Sequence, residues 1–382
     1  MSRKKSIWQK YAGAAFAMVI GAICGVVIVE FAANFASSGS FASGIGSLAA
    51  LFVGMYLAIM FHMIIHEAGH LLFGLLTGYR YVSFRVFSFM WVKEDEKIRL
   101  KRLSIAGTGG QCLMAPPDMK DGRFPQVMYN LGGAIVNLIA GGVFLAAGFL
   151  LSGFPLAKAA MLIFAVVGFM LALTNGVPMR MGIVDNDGYN AISLNKSPEA
   201  AEAFWIQLKV NEQIAKGIRL REMPDKWFEL PSDESMKNSM VATRGVFAAN
   251  RLMDEENFEE AEKLITHLLS IESGMVGLHK SLLICDKIFC GLIAGKNGDA
   301  IEGMLTKEQR RFMKAMKSFP SVLRTEYALA LIGEKDASKA EKILLEFEKC
   351  AGSYPYPVEI ASERELMRLA DQIANSNAVS GA

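Results

Sequence analysis

Phe61-His62-Met63-Ile64-Ile65-His66-Glu67-Ala68-Gly69-His70-Leu71-Leu72 sets three histidines and a glutamate inside a run that otherwise reads as membrane-spanning. On a helix, residues four apart lie one above the other, so His66 and His70 can address a single metal ion, usually Zn²⁺. Glu67 between them can then deprotonate water activated at that ion. The competing reading is a pair of core histidines satisfied by backbone carbonyls, but a buried Glu67 would still need a partner. Ionisable groups at membrane depth are costly and point to function. His62 extends the stripe by one turn. Three rings on one straight helix spread over about 12 Å, too far for all of them to reach one ion at ~2 Å.

Working outward, this stretch is the second half of an apolar segment over residues 47–76, closed by Gly78. Three more segments match the ~20 residues a bilayer requires: residues 11–34, 128–151 and 156–174. The first follows Arg3, Lys4 and Lys5 and reads as a retained signal anchor. The segment over 128–151 carries Gly132, Gly133, Gly141 and Gly142, small residues that let helix backbones approach closely in lipid. Asn137, well inside it, is either an interhelical hydrogen-bond donor or an active-site polar group. Residues 79–126 do not span. Tyr81 to Val92 is rich in aromatic and β-branched residues and predicts a strand. Lys93 to Lys97 is a polar turn and Ile98 to Lys101 alternates again, so a small β-hairpin is expected. The glycines of Gly107-Thr108-Gly109-Gly110 lack the spacing and lysine of a phosphate loop.

Two histidines do not complete a catalytic zinc site, where three protein ligands plus water are expected. The last apolar segment ends in Thr174-Asn175-Gly176-Val177-Pro178, followed by Asp185-Asn186-Asp187-Gly188. Broken backbone at membrane depth is tolerated where it lines a cavity. Asp187 or Asp185 could supply the third ligand; Asn186-Asp187-Gly188 is equally an ordinary turn signal.

The whole-chain figures agree with this division. Of 382 residues, 52% are hydrophobic, and the net charge of +2 offers nothing to nucleic acid. The five cysteines are scattered without a CxxC, which excludes a structural zinc knuckle and gives no disulfide framework. Nine lysines and arginines fall between residues 79 and 126, whereas the loops near Ser40 and Gly153 are uncharged. The positive-inside rule therefore places both termini and the hairpin in the cytoplasm. From about Ser197 the chain is charged and helix-forming. Ala261, Ala300 and Ala340 sit in similar segments 39 and 40 residues apart, a period that suggests stacked helical hairpins and resembles, loosely, tetratricopeptide repeats. Such a solenoid offers a concave surface to a protein partner. His267 and His279 read as ordinary surface or core histidines.

Three pieces together resemble the site-2 protease type of intramembrane metalloproteases: His66-Glu67-Ala68-Gly69-His70, Gly132-Gly133-Ala134-Ile135-Val136-Asn137, and Asn175-x-x-Pro178 leading to Asp187-Gly188. The resemblance covers residues 47–189. It implies a three-helix catalytic core, Zn²⁺ held by His66, His70 and Asp187, Glu67 as catalytic base, and Asn137 helping to hold substrate. One departure stands out: the family's commonest form has Leu before the Asp-Gly pair, where this chain has Asn186, and a shorter gap from the proline.

The expected protein is mainly α. It is a polytopic membrane protein of about four transmembrane helices: an anchor and loop over 1–46, a metalloprotease core over 47–195 with the β-hairpin insertion at 79–126, and a cytoplasmic helical-repeat domain over 196–382. The expected function is zinc-dependent cleavage of membrane-embedded proteins or exported-peptide precursors at the plasma membrane. The alternative is a membrane-anchored helical-repeat scaffold with an inactive core.

Overall fold

The computed structural model describes residues 41–94, 97–105, 108–151, 153–179, 185–296, 298–317 and 319–380. The apolar run over residues 11–34 lies outside these. The chain divides into two compact units.

The first unit is built on α1 (Phe41–Leu76), α2 (Gln126–Leu150) and α3 (Pro155–Gly176), completed by the start of α4 (Asp187–Lys196). Among the described residues three helices are long and apolar enough to cross a membrane: Ala49–Leu76, Gln126–Leu150 and Leu156–Gly176. Their polarity is inside out. Phe52 and Leu150 are 65% and 85% exposed, while His62 and Asn137 are fully enclosed. Water would not sustain that distribution; lipid does. Gly78, at φ +88, takes the left-handed conformation that ends α1.

The helices meet at glycine. A Cβ on Gly69 would lie 2.4 Å from the Gly132 carbonyl oxygen, and one on Gly132 would lie 2.5 Å from that of Gly69. Only hydrogen at both positions permits this backbone contact between α1 and α2. Gly168 of α3 likewise faces the His62 ring, where a Cβ would stand 2.5 Å from Cε1.

The second unit holds residues 78–124 and the chain from Leu194 onward. Its sheet has four antiparallel strands in the order β3-β2-β1-β4: β1 (Arg80–Val86), β2 (Phe89–Glu94), β3 (Lys97–Arg102) and β4 (Gly110–Ala115). The single strand expected over Tyr81–Val92 is therefore two. The chain turns at Phe87, whose φ of 55 is left-handed, and the buried Arg85 braces that turn by donating to Phe87 O at 2.8 Å, Thr108 Oγ1 at 2.7 Å and Gly110 O at 3.1 Å. Composition could not reveal a turn formed by an aromatic residue and stabilised by an arginine inside the sheet. One face of the sheet joins the helical core, where Met90, Val92 and Leu103 pack in one cluster with Ile206 and Val210 of α5 (Pro198–Ala215). Trp205 Nε1 donates to Pro117 O at 2.9 Å, and Arg80 pairs with the buried Glu212 at 3.0 Å.

Seven of the remaining helices carry the core: α6 (Ser239–Asp254), α7 (Phe258–Ser270), α8 (Gly277–Ile293), α10 (Lys307–Ala315), α11 (Pro320–Ala328), α12 (Ala337–Ala351) and α13 (Pro357–Ser380), with the single turn α9 (Asp299–Glu302) between α8 and α10. Ala261 and Ala340 are both buried near the starts of α7 and α12. Ala300 is exposed on the four-residue α9, so the middle segment does not repeat its neighbours.

Buried charge ties α8, α11 and α13 together. Arg324, 1% exposed, donates to Asp286 and, at 2.9 Å, to Glu363 Oε2. Burial pushes both carboxyls up, against the pull of the guanidinium. Glu359, one turn before Glu363, accepts from Tyr354 Oη at 2.9 Å, and burial raises it to about 7. A carboxyl that holds its proton more tightly when folded than its ordinary 4.5 favours the folded state fully at acid pH. That contribution is lost as pH rises toward 7. The helical unit should therefore lose roughly 1–3 kcal/mol of stability between pH 5 and pH 8. Glu359→Gln should flatten the dependence, read as hydrogen-exchange protection of α13 in the full chain. Equal slopes in both proteins would refute the assignment.

Candidate metal centre

The site is assembled from the first unit alone. His66 and His70 project from one face of α1, both at least nine-tenths buried. Asp187 enters from the first residue of α4. Its Oδ2 lies 3.0 Å from His66 Nε2 and 3.4 Å from His70 Nε2, and the two Nε2 atoms are 3.2 Å apart. The three ligand atoms lie within 4.8 Å of one another, the one metal-competent group of this kind among the described residues. Glu67 is half-buried beside His66 on the same helix.

The hydrogen bonds behind the rings decide which nitrogens face the centre. His70 Nδ1 lies 2.7 Å from the Tyr129 carbonyl, which can only accept, so Nδ1 carries the proton and the Nε2 of the neutral ring is a bare lone pair. For His66 the chain of bonds is longer. His62 Nε2 lies 2.9 Å from the Phe164 carbonyl and must donate. In the neutral ring its Nδ1 must then accept. The Asn137 carboxamide stands between, 3.1 Å from His62 Nδ1 and 3.2 Å from His66 Nδ1. The ends of a carboxamide exchange by a half-turn, and the network assigns them. As placed, Asn137 Oδ1 faces His62 Nδ1 and Nδ2 faces His66 Nδ1; a neutral His62 that donates from Nε2 calls for the half-turned carboxamide, in which the nitrogen donates to His62, the oxygen accepts from His66 Nδ1–H, and His66 Nε2 is free to ligate.

With both rings neutral in this arrangement, two imidazole nitrogens and one carboxylate oxygen converge on a single point as acceptors. An unsatisfied buried acceptor costs ~1–3 kcal/mol, and three facing one another add repulsion. A cation removes both penalties. Histidines whose rear nitrogens donate to a carbonyl or amide are the usual supports of a metal ion, because the rear bond fixes the tautomer and the ring plane. The residues present therefore fit a divalent metal with nitrogen and carboxylate ligands.

Asn137 meets both openings left by the sequence. It is an interhelical hydrogen-bonding group, and it belongs to the centre because it orients His66. His62 is a positioning residue at the far end of that relay and not a ligand, as helix rise requires. Sequence reasoning did not identify Asn186. It is 4% exposed, and its Oδ1 accepts from Met179 N and Tyr189 N, both at 2.9 Å. Its Nδ2 donates to Thr174 O at 2.8 Å and Val177 O at 2.6 Å. Four bonds tie the broken end of α3 to the start of α4, which a leucine could not do. The departure at this position was the available signal. Gly188 completes the placement: a Cβ there would stand 2.2 Å from Gly176 O.

A paired-histidine helix, an aspartate from a stitched break and three apolar helices define a metal-dependent enzyme core of the membrane. The comparison with known families agrees. The model of peptidase family M50 matches residues 54–342, more than half of the chain, and the chain belongs to this family, that of the site-2 proteases. It is accordingly a metallopeptidase and a membrane protein. No curated protein and no solved structure matches it.

Gly133 tests the support of the site without touching a ligand. A Cβ there would fall 2.5 Å from His66 Cε1 and 2.6 Å from its Nδ1. Gly133→Ala should displace the ring and weaken metal binding by about 10–100-fold, as changes to groups that orient a ligand do. The measurement is metal per protein by mass spectrometry after dialysis against a graded chelator. Wild-type retention would show that the ring is not held as described.

Proposed function

We propose that the chain is a zinc-dependent intramembrane endopeptidase that cleaves membrane-embedded proteins or exported-peptide precursors. The observation that carries this reading is the convergence of two imidazoles and one carboxylate within 4.8 Å of one another beside three apolar helices. Zinc suits that donor set. His66, His70 and Asp187 are the proposed ligands. When bound, the ion would supply Lewis-acid activation of water and of the scissile carbonyl.

The chain's own residues would do the rest. Glu67, one residue from His66, takes the proton of the attacking water and returns it to the leaving amine. Asn137 holds His66 in the ligating tautomer through its amide oxygen, while His62 fixes the amide. The break after Gly176, tied across by Asn186, ends the apolar helix beside the proposed ligand Asp187. A substrate helix hides its carbonyls in its own hydrogen bonds and has to unwind locally before it can react. The basic flanks around residues 79–126 support an orientation with the sheet and both termini in the cytoplasm and the protein in the plasma membrane.

Glu67→Gln is the direct test, since it removes the base and leaves the ligands. Purified wild type and variant should each hold about one zinc, the composition a three-ligand catalytic site implies. Expressed in a host lacking the protein, only the wild type should release new fragments of single-span membrane proteins, detected by terminal-peptide mass spectrometry. Identical fragment sets would end the protease reading. Folded protein without zinc would favour the scaffold.

A further inference from the structure

The helical unit contains a cavity of about 230 Å³ on the side formed by α6, α8, α11 and α13. Its wall is mostly apolar, with Phe319 and Leu282 among the lining residues, but its polar groups are out of balance. Two guanidinium groups, Arg219 and Arg324, stand against four carboxyls, Asp254, Asp286, Glu359 and Glu363. Both arginines are already committed. Arg219 donates to Asp254 at 2.6 Å and Glu365 at 2.7 Å, and Arg324 donates to Asp286 and Glu363. Among the described residues no cation pairs with Glu359, whose recorded neighbours are the Tyr354 hydroxyl and the like-charged Glu363.

A second, independent group points the same way. His279, on α8, lines the cavity, and its Nδ1 is enclosed without a hydrogen-bond partner. Burial lowers this imidazole to about 4, so it is neutral and adds no positive charge at pH 7. The cavity therefore joins surplus carboxylate, an unused imidazole nitrogen and an apolar wall. A divalent metal does not suit it, because these carboxyls form no three-atom metal group. An organic cation on an aliphatic stem does: methylenes lie along the wall while the charged head reaches the carboxyls. At about 230 Å³ the cavity is smaller than the ~300–1,000 Å³ typical of whole-ligand pockets. It holds one group of a larger molecule.

We propose that this cavity is a recognition pocket for a single lysine or arginine side chain of a polypeptide segment, seated against Glu359 and Glu363. The pocket lies wholly within the second unit and shares no residue with the metal centre. Its test is a binding measurement and does not rest on the peptidase reading.

The experiment uses the full chain in nanodiscs and two fluorescein-labelled dodecapeptide mixtures that differ at one position. One has arginine at residue seven and the other citrulline, with uncharged residues elsewhere. Fluorescence anisotropy should show the arginine mixture binding at least about tenfold more tightly, the weight of one charge-assisted contact. Raising salt from 0.05 to 0.5 M should leave most of that preference, because an enclosed pair is weakly screened. Glu359→Gln should reduce the preference to less than about threefold. This variant leaves the Arg324 pairs intact, and a wild-type circular dichroism spectrum confirms its fold. Equal binding of the two mixtures, or an unchanged preference in Glu359→Gln, would overturn the proposal. So would displacement by spermidine at lower concentration than by any peptide, which would assign the pocket to a free polyamine.

Discussion

The backbone contact between Gly69 and Gly132 is the constraint on which the membrane unit depends. A methyl group at either position would overlap the other helix's carbonyl. With hydrogen there, α1 and α2 close to main-chain contact, and every polar group of the centre follows from that approach. The His66 ring lies flat on Gly133, and the Asn137 amide comes within reach of two imidazoles on the neighbouring helix. The Tyr129 carbonyl meets His70 Nδ1 at 2.7 Å. In lipid no hydrophobic force drives helices together, so close packing and buried hydrogen bonds must do so. The glycines supply the first and the histidine–asparagine relay the second.

That relay also explains how three acceptors can be held face to face. Each histidine is pinned from behind, so neither can rotate its proton into the centre to relieve the others. Asp187 is pinned as well, because Asn186 bonds four backbone groups around it and Gly188 sits on the Gly176 carbonyl. The supporting bonds keep the ligands pre-arranged, as hydrogen bonds behind metal-binding histidines generally do.

Much of this was legible in the chain. His66, Glu67 and His70 announce themselves by helical spacing, the glycines of α2 by their density, and α1, α2 and α3 by hydrophobic length. What was not legible depended on partners far apart in sequence. Arg85 stabilises a turn at Phe87 with groups some two dozen residues later, so the expected strand over Tyr81–Val92 divides in two. His62 acquires its role only from Phe164 and Asn137. Asn186 looked like a departure and serves as a brace. The period of 39 and 40 residues spans unlike elements: Ala261 and Ala340 are buried near helix starts, whereas Ala300 is exposed on a helix of one turn.

The two units leave polar groups unmet in different ways. In the membrane unit the surplus is of lone pairs, rigidly aimed and enclosed by hydrocarbon, which selects a small hard or borderline cation. In the helical unit it is of carboxylate charge at a cavity with apolar walls. There the arginines are fully used, and a proton on Glu359 can stand in for the missing cation. A proton suffices because burial holds it on the carboxyl. In the first unit the three ligand atoms lie within 4.8 Å of one another, so one ion can meet all of them at once. The membrane site therefore suits a tightly held ion, whereas the cavity of the helical unit can stand empty and fill reversibly. A tightly held metal and an exchangeable cationic side chain are the occupants those two conditions favour.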